Sequence, residues 1–409
     1  MEAPEATKYE NPVVDEASET IAAITAAQAI SADEIALYDR QIRLWGVQAQ
    51  ENIRKADILL IRIKALANEV AKNLVLAGIG SLTIIDEEKV TEEDLAAQFF
   101  VSEADIGKNR AEAVAPEIQK LNPRVKLHVD SSDIRTKPDL AAFLSPFDVI
   151  IACDLDFPTT STLNAASRLH KKPFYSASSH GMYGCIFADL IDHDFVIERK
   201  KANVATKIGP ENTTRRIISA STKRKNGEVR EIVTKRELYS PLVLANTSPL
   251  PSDILKNRRR LRQVSPLLPC LRALWDFEKQ QMRLPTHTHP DLLAFTTLAT
   301  EKHKELQLPT ESLKAEFLRS FVQNIASEVA PVTAWLGGQL AQDVINVLGK
   351  RQQPIQNLVL FDGEDFTAPI YSLHPFFDDG LDGVVNGTSN VGAGLATVNG
   401  SSAGVMVID

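Results

Sequence analysis

The stretch from Asp57 to Val90 constrains the fold more than any other part of the chain. DILLIRI (57–63) is an apolar run of strand length, and KALANEVAKNLVLAG (64–78) has helical periodicity and ends at Gly78, a plausible C-cap. SLTIIDEEKV (81–90) is a second strand. A β-α-β unit of this length with short connections requires parallel strands and a right-handed crossover. The alternation continues, with a helix over 107–123, strands over 125–130 and 147–154, a helix around 159–170 and a strand over 173–178. Repeated strand–helix units ending in polar loops predict an α/β fold with a doubly wound, mostly parallel sheet. Such a Rossmann-like sheet binds ligands beyond the carboxyl ends of its strands.

On either side of this block the texture changes. Residues 1–30 read as a flexible acidic lead-in, and SADEIALYDRQIRLWGVQAQENIRKA (31–56) as two short helices with a capping-type start at Ser31 and Glu34. Near residue 199 the chain turns basic and polar, with Asn226-Gly227 suggesting a hairpin. Helical periodicity returns before residue 306, so 200–310 reads as an insertion into a domain that begins with 31–199 and closes with 311–375. The closing part holds two helices separated near Pro331 and a strand over 358–365, and the Gly-, Asn- and Ser-rich stretch 376–409 reads as disordered.

Composition narrows the function. A net charge of -8 and a pI near 5.6 argue against nucleic-acid binding through overall charge. No run of about 18 apolar residues is present, so no membrane segment is expected. Three cysteines (Cys153, Cys185 and Cys270) without CxxC spacing imply a reducing compartment and neither a disulfide framework nor a thiolate zinc site. His287 and His289 have HxH spacing but no further ligand candidates nearby, so no metal is expected.

A β-α-β unit of this kind ordinarily raises the question of a phosphate cradle at the helix N-terminus. Here the turn is Arg62-Ile63-Lys64-Ala65-Leu66-Ala67-Asn68, with no glycine. Close approach of phosphate needs backbone amides that no Cβ obstructs, and Arg62, Ala65 and Ala67 would crowd it. Asp86, at the end of the second strand, stands where an acidic side chain would hold a ribose hydroxyl, although an aspartate there is commonly a turn residue. The residues alone leave two readings: a domain whose first turn was never a ligand site, or a degenerated nucleotide domain.

LYDRQIRLWG (37–46), AKNLVLAGIGSLTIIDEEKV (71–90), AQFFVSEADIGKNRAEA (97–113), LNP (121–123) and APVTAWLGGQLAQDVINVLG (330–349) resemble the ThiF/MoeB-like adenylation fold of activating enzymes for ubiquitin-like proteins. The resemblance covers about 31–200 and 311–372. In that family two homologous adenylation domains pair and only one binds ATP; that active half keeps a GxGxxG loop and a catalytic cysteine. This chain keeps Asp86 and Asp154 but has Arg110 in place of a nucleotide lysine and Thr159 in place of an arginine, and none of its cysteines is followed by threonine. The resemblance therefore implies the inactive half, with ATP and magnesium bound mainly by a homologous catalytic subunit. FADLIDHDFVIERK (187–200), the length and the single adenylation domain resemble most closely the non-catalytic subunits of SUMO-activating enzymes, which makes SUMO the expected modifier. The NEDD8 counterpart, which is considerably longer, is the alternative, and a pure interaction scaffold is an alternative of another class.

The resemblance also implies that Arg40 crosses the dimer to the partner's ATP phosphates; from the residues alone, a salt bridge with Asp39 is the plainer reading. Arg43 and Trp45 are interface candidates, Leu44 reads as core, and Gly337 and Gly338 would allow close packing either within the subunit or across a dimer. Arg62 is expected to fill the vacant nucleotide pocket. The cluster Lys256–Arg262 is a candidate nuclear localisation signal or a solvated basic loop, and the expected location is the nucleus, with the cytoplasm left open.

Overall fold

The computed structural model describes residues 32–375 apart from 202, 226 and 227. The lead-in 1–30, the Ser31 cap, the Asn226-Gly227 turn and the stretch 376–409 lie outside the described residues.

The central sheet has eight strands, β1 (Asp57–Ile61), β2 (Ser81–Ile85), β3 (Lys126–Asp130), β4 (Val149–Cys153), β5 (Phe174–His180), β6 (Tyr183–Asp189), β11 (Leu358–Asp362) and β12 (Ile370–Tyr371). Their spatial order is β12-β11-β6-β5-β4-β1-β2-β3. The five strands from β5 to β3 are parallel, and β6, β11 and β12 extend one edge in antiparallel pairing. From β1 the chain turns one way to β2 and β3, then returns to β4 on the other side. The crevice between the carboxyl ends of β1 and β4 is therefore the topological switch point, where doubly wound sheets bind ligands.

Both faces of the sheet are buried, and the strands alternate between them. Ile58 and Leu60 face one apolar core, with Val149 and Ile151; Leu59 and Ile61 face the other, with Ile150 and Ala152. The major helices are α1 (Ala32–Leu37), α2 (Asp39–Trp45), α3 (Val47–Lys55), α4 (Ala65–Ala77), α5 (Arg110–Leu121), α6 (Phe157–Leu169), α7 (Leu267–Gln281), α8 (His289–Glu305), α9 (Ala315–Asn324) and α10 (Ala330–Gly349). The first core is closed by α4, α5 and α10, the second by α6, α7, α8 and α9. Gly78 adopts the left-handed C-cap of α4, with φ 79°.

The segment expected as one insertion over 200–310 divides into two parts. A second, antiparallel sheet of β7 (Asp192–Lys200), β8 (Gly209–Pro210), β9 (Arg215–Lys225) and β10 (Glu228–Leu238) begins at Asp192, eight residues earlier than the boundary expected from composition. It is tied by cross-strand ion pairs such as Arg236–Asp194 (2.6 Å) and Arg199–Glu231 (2.9 Å). The remainder supplies α7 and α8, which cover the second face of the central sheet. A parallel sheet needs helices on both faces, and these two complete the missing layer.

Candidate functional site

The turn after β1 has no glycine, yet one of its residues takes a backbone conformation that glycine adopts most readily. Arg62 is left-handed, with φ 66°, a conformation that costs a residue bearing a Cβ roughly 1–2 kcal/mol. Its guanidinium offsets this by donating to the Asp154 carbonyl (2.7 Å) and to Glu88 (3.1 and 3.3 Å). Arg62, expected to fill the pocket, lies across the switch point and lines a cleft that stays open beside it.

The N-terminus of α4, where a phosphate would sit, is taken by the Glu328 carboxylate, which accepts the Ala65 N–H at 2.9 Å and lies 3.6 Å from Lys64 Nζ. Free N–H groups and the helix dipole favour a negative charge at this point, and the protein supplies its own. Glu278 of α7 does the same for α6, accepting the Phe157 N–H at 2.9 Å. Burial pushes the Glu278 carboxyl up to about 7, with the Phe157 bond opposing and the charge of Asp156 assisting. Burial, and then the charge of Asp154, likewise raise Glu328 above the ordinary carboxylate range.

Asp86 and Arg110 meet in a second closed network. Arg110 is 3% exposed and reaches Asp86 (3.0 Å), Glu88 (3.1 Å) and Asp94 (3.3 Å). Asp86 also accepts the Ile63 N–H at 2.9 Å, so its carboxylate is committed to the loop and the arginine and is not presented to a ribose. Burial lowers the affinity of Arg110 for its proton, but Asp86 and Asp94 outweigh it and hold the guanidinium charged. Asp154, left-handed at φ 50°, accepts the Ser179 N–H at 2.9 Å, while its other oxygen is buried without a hydrogen-bond partner. Burial raises its carboxyl above the usual value. Thr159 completes the cap of α6 by bonding Asp156. A cleft of about 370 Å³ remains beside this assembly, walled by Trp275 and Glu278. The residues present do not fit a triphosphate: both helix N-termini carry carboxylates and the turn carries side chains.

The YDRQ segment lies at the other end of α4, roughly 20 Å away for a 13-residue helix. Arg40 is exposed and makes no hydrogen bond or ion pair with any described residue. The salt bridge to Asp39 belongs to Arg43 instead, at 2.8 Å, because four residues along a helix bring side chains together and one does not. Trp45 is half-buried against the first core and donates to Gln50 at 2.9 Å. Leu44, expected in the core, is 78% exposed, since the buried face of this arm falls on Tyr38, Ala49 and Ile53. Gly337 packs within the subunit; a Cβ there would come within 2.5 Å of Glu69 and 2.9 Å of the Leu66 carbonyl, whereas Gly338 faces open space. The cluster Lys256–Arg262 includes a short exposed helix, Arg258–Arg262, in which Arg260 pairs with Asp253.

The cysteines are all buried, and burial raises each thiol, that of Cys185 to about 11. Among the described residues no group of three or more metal-ligating side chains gathers, and no helix is long and apolar enough to cross a membrane. Glu328 and Glu278 were not visible in the sequence, because each reaches the switch point from a distant segment. Glu88 and Asp94 had a faint signal, since the acidic run 86–94 precedes an arginine that needs partners.

Residues 38–378 match the ThiF family. The chain is 33% identical over 351 residues to SUMO-activating enzyme subunit 1 of Homo sapiens, covering 85% of this chain and 97% of that one. It is 35% identical over 349 residues to DNA damage tolerance protein RHC31 of Saccharomyces cerevisiae, covering 84% and 97%. It is 34% identical to DNA damage tolerance protein rad31 of Schizosaccharomyces pombe, covering 84% and 98%. With its Rossmann-like sheet and a match running almost the length of the described residues, the chain belongs to the ThiF family.

Proposed function

We propose that this chain is the non-catalytic subunit of a heterodimeric SUMO-activating enzyme and that it supplies Arg40 in trans to its partner's ATP site. The self-filled cradle carries the reading: Glu328, Glu278, Arg62 and Arg110 occupy the positions from which backbone and side chains would otherwise hold a nucleotide. ATP and magnesium are then held mainly by the partner. The buried thiols support assigning the thioester-forming cysteine to the partner as well, because the thiolate is the nucleophile and burial disfavours it. SUMO as the modifier follows from the relatives named for it.

Arg40 suits donation across a dimer because it spends no bond on any described residue of its own subunit. Adenylation directs the modifier's C-terminal carboxylate onto the α-phosphate and expels pyrophosphate, and a guanidinium can neutralise the charge that builds up. The exposed basic helix Arg258–Arg262 supports nuclear import, and so a nuclear location.

The test is ATP–pyrophosphate exchange with SUMO, using the chain alone, the assembled pair, and the pair carrying Arg40→Ala; NEDD8 in place of SUMO checks the modifier. The chain alone is expected to be inactive, and Arg40→Ala to slow the pair by about 10³, at the lower end for arginines supplied in trans to phosphoryl transfer. The heterodimer should remain intact by gel filtration. Exchange by the isolated chain, or an unchanged rate with Arg40→Ala, overturns the proposal.

A further inference from the structure

We infer that Tyr38 and Asn122 are positioning residues that fix the direction in which Arg40 leaves the subunit; this rests on the reading of Arg40 above. The segment from Tyr38 to Lys55 lies across the carboxyl ends of α4 and α10. The last carbonyls of a helix have no partner within it, and here side-chain carboxamides take four of them. Asn122 donates to the Val75 carbonyl (2.9 Å), Gln41 to Leu76 (3.1 Å), Gln50 to Ala77 (3.0 Å) and Asn52 to Leu348 (3.2 Å). Three of these four carboxamides belong to the segment that carries Arg40. The helix whose amino end no longer receives phosphate has become, at its carboxyl end, the dock for this arm.

Tyr38 is the anchor of the dock. It is 5% exposed, and its hydroxyl accepts from Asn122 Nδ2 at 2.7 Å, on the same nitrogen that serves Val75. Its ring lies over Gly78, where a Cβ would come within 2.5 Å of the phenolic oxygen. The Tyr38 carbonyl accepts the Ile42 N–H at 2.8 Å, which starts the turn bearing Arg40. At the far end of α2, the Arg351 guanidinium lies 3.5 Å from the Cβ position of Gly46. The Arg40 side chain has no partner among the described residues, so among them its guanidinium is held through the pinned backbone two residues away. A group donated across a dimer has to arrive within about 1 Å of its target, and a misplacement of that size can cost as much as 10²-fold in rate.

The experiment measures ATP–pyrophosphate exchange by the assembled heterodimer carrying Tyr38→Phe, Arg40→Ala, or both, with gel filtration as the check on assembly. Tyr38→Phe removes one hydroxyl and leaves the Asn122–Val75 bond in place. It is expected to lower kcat by about 10-fold while the KM values for ATP and modifier stay within about 2-fold, and to have no further effect in the Arg40→Ala background. An equal loss in both backgrounds would mean a purely structural role and overturns the proposal. So does an unchanged rate for Tyr38→Phe in a pair that Arg40→Ala slows. If Arg40→Ala itself has no effect, the reading of Arg40 falls first and takes this proposal with it.

Discussion

Glu278→Gln isolates the energetic consequence of placing a carboxyl group at a buried helix N-terminus. Glu278 is 6% exposed, and its carboxyl is raised from 4.5 to about 7, first by burial and then by the charge of Asp156, against the opposing Phe157 bond. Between pH 4.5 and 7 the native state therefore keeps a proton that the unfolded chain releases. Stability must fall as pH rises through this window, by about 3 kcal/mol in total, and stay low above it. Glutamine preserves the shape and can accept the Phe157 N–H through its amide oxygen, but it never acquires the charge. The variant should exceed the natural protein by about 1 kcal/mol at pH 5 and by about 3 kcal/mol at pH 8. Urea unfolding at pH 5, 6, 7 and 8, followed by tryptophan fluorescence, measures this. Other shifted groups, such as Asp343 at about 6 and His180 at about 4, cancel in the difference between the two proteins. Parallel stability curves for the two proteins from pH 5 to 8 would refute the account of Glu278.

Arg110→Met should destabilise the fold by about 3–5 kcal/mol at neutral pH, because Asp86 and Asp94 would stay buried without their cation; thermal unfolding checks this. That deficit should shrink in acid. Burial raises the Glu88 carboxyl, but Arg62 and Arg110 outweigh it and hold it below 4.5, so its stabilisation is present above that value and is lost as pH falls through the lowered native one. Gly337→Ala should cost about 1–3 kcal/mol by forcing α10 away from α4, while Gly338→Ala should stabilise the isolated chain by about 0.5–1 kcal/mol, as measured by denaturation.

The sequence by itself determined the layered architecture. Apolar runs at 57–63, 81–85 and 147–153 have the length and bounds of buried strands, and the helices between them call for a mostly parallel sheet. It also determined that the turn after the first strand lacks glycine, because glycine's freedom is a property of one residue. That β1 and β4 are neighbours, which puts the switch point at Arg62 and Asp154, came from the tertiary structure. The tertiary structure alone decided what replaced the phosphate. Glu328 and Glu278 lie more than 100 residues from the helix ends they cap, and nothing local marks a carboxylate that will meet a helix dipole. Leu44 and Gly337 follow the same division. Periodicity shows that a helix has an apolar or a small-residue face, but only packing against other elements decides whether that face turns inward or stays exposed.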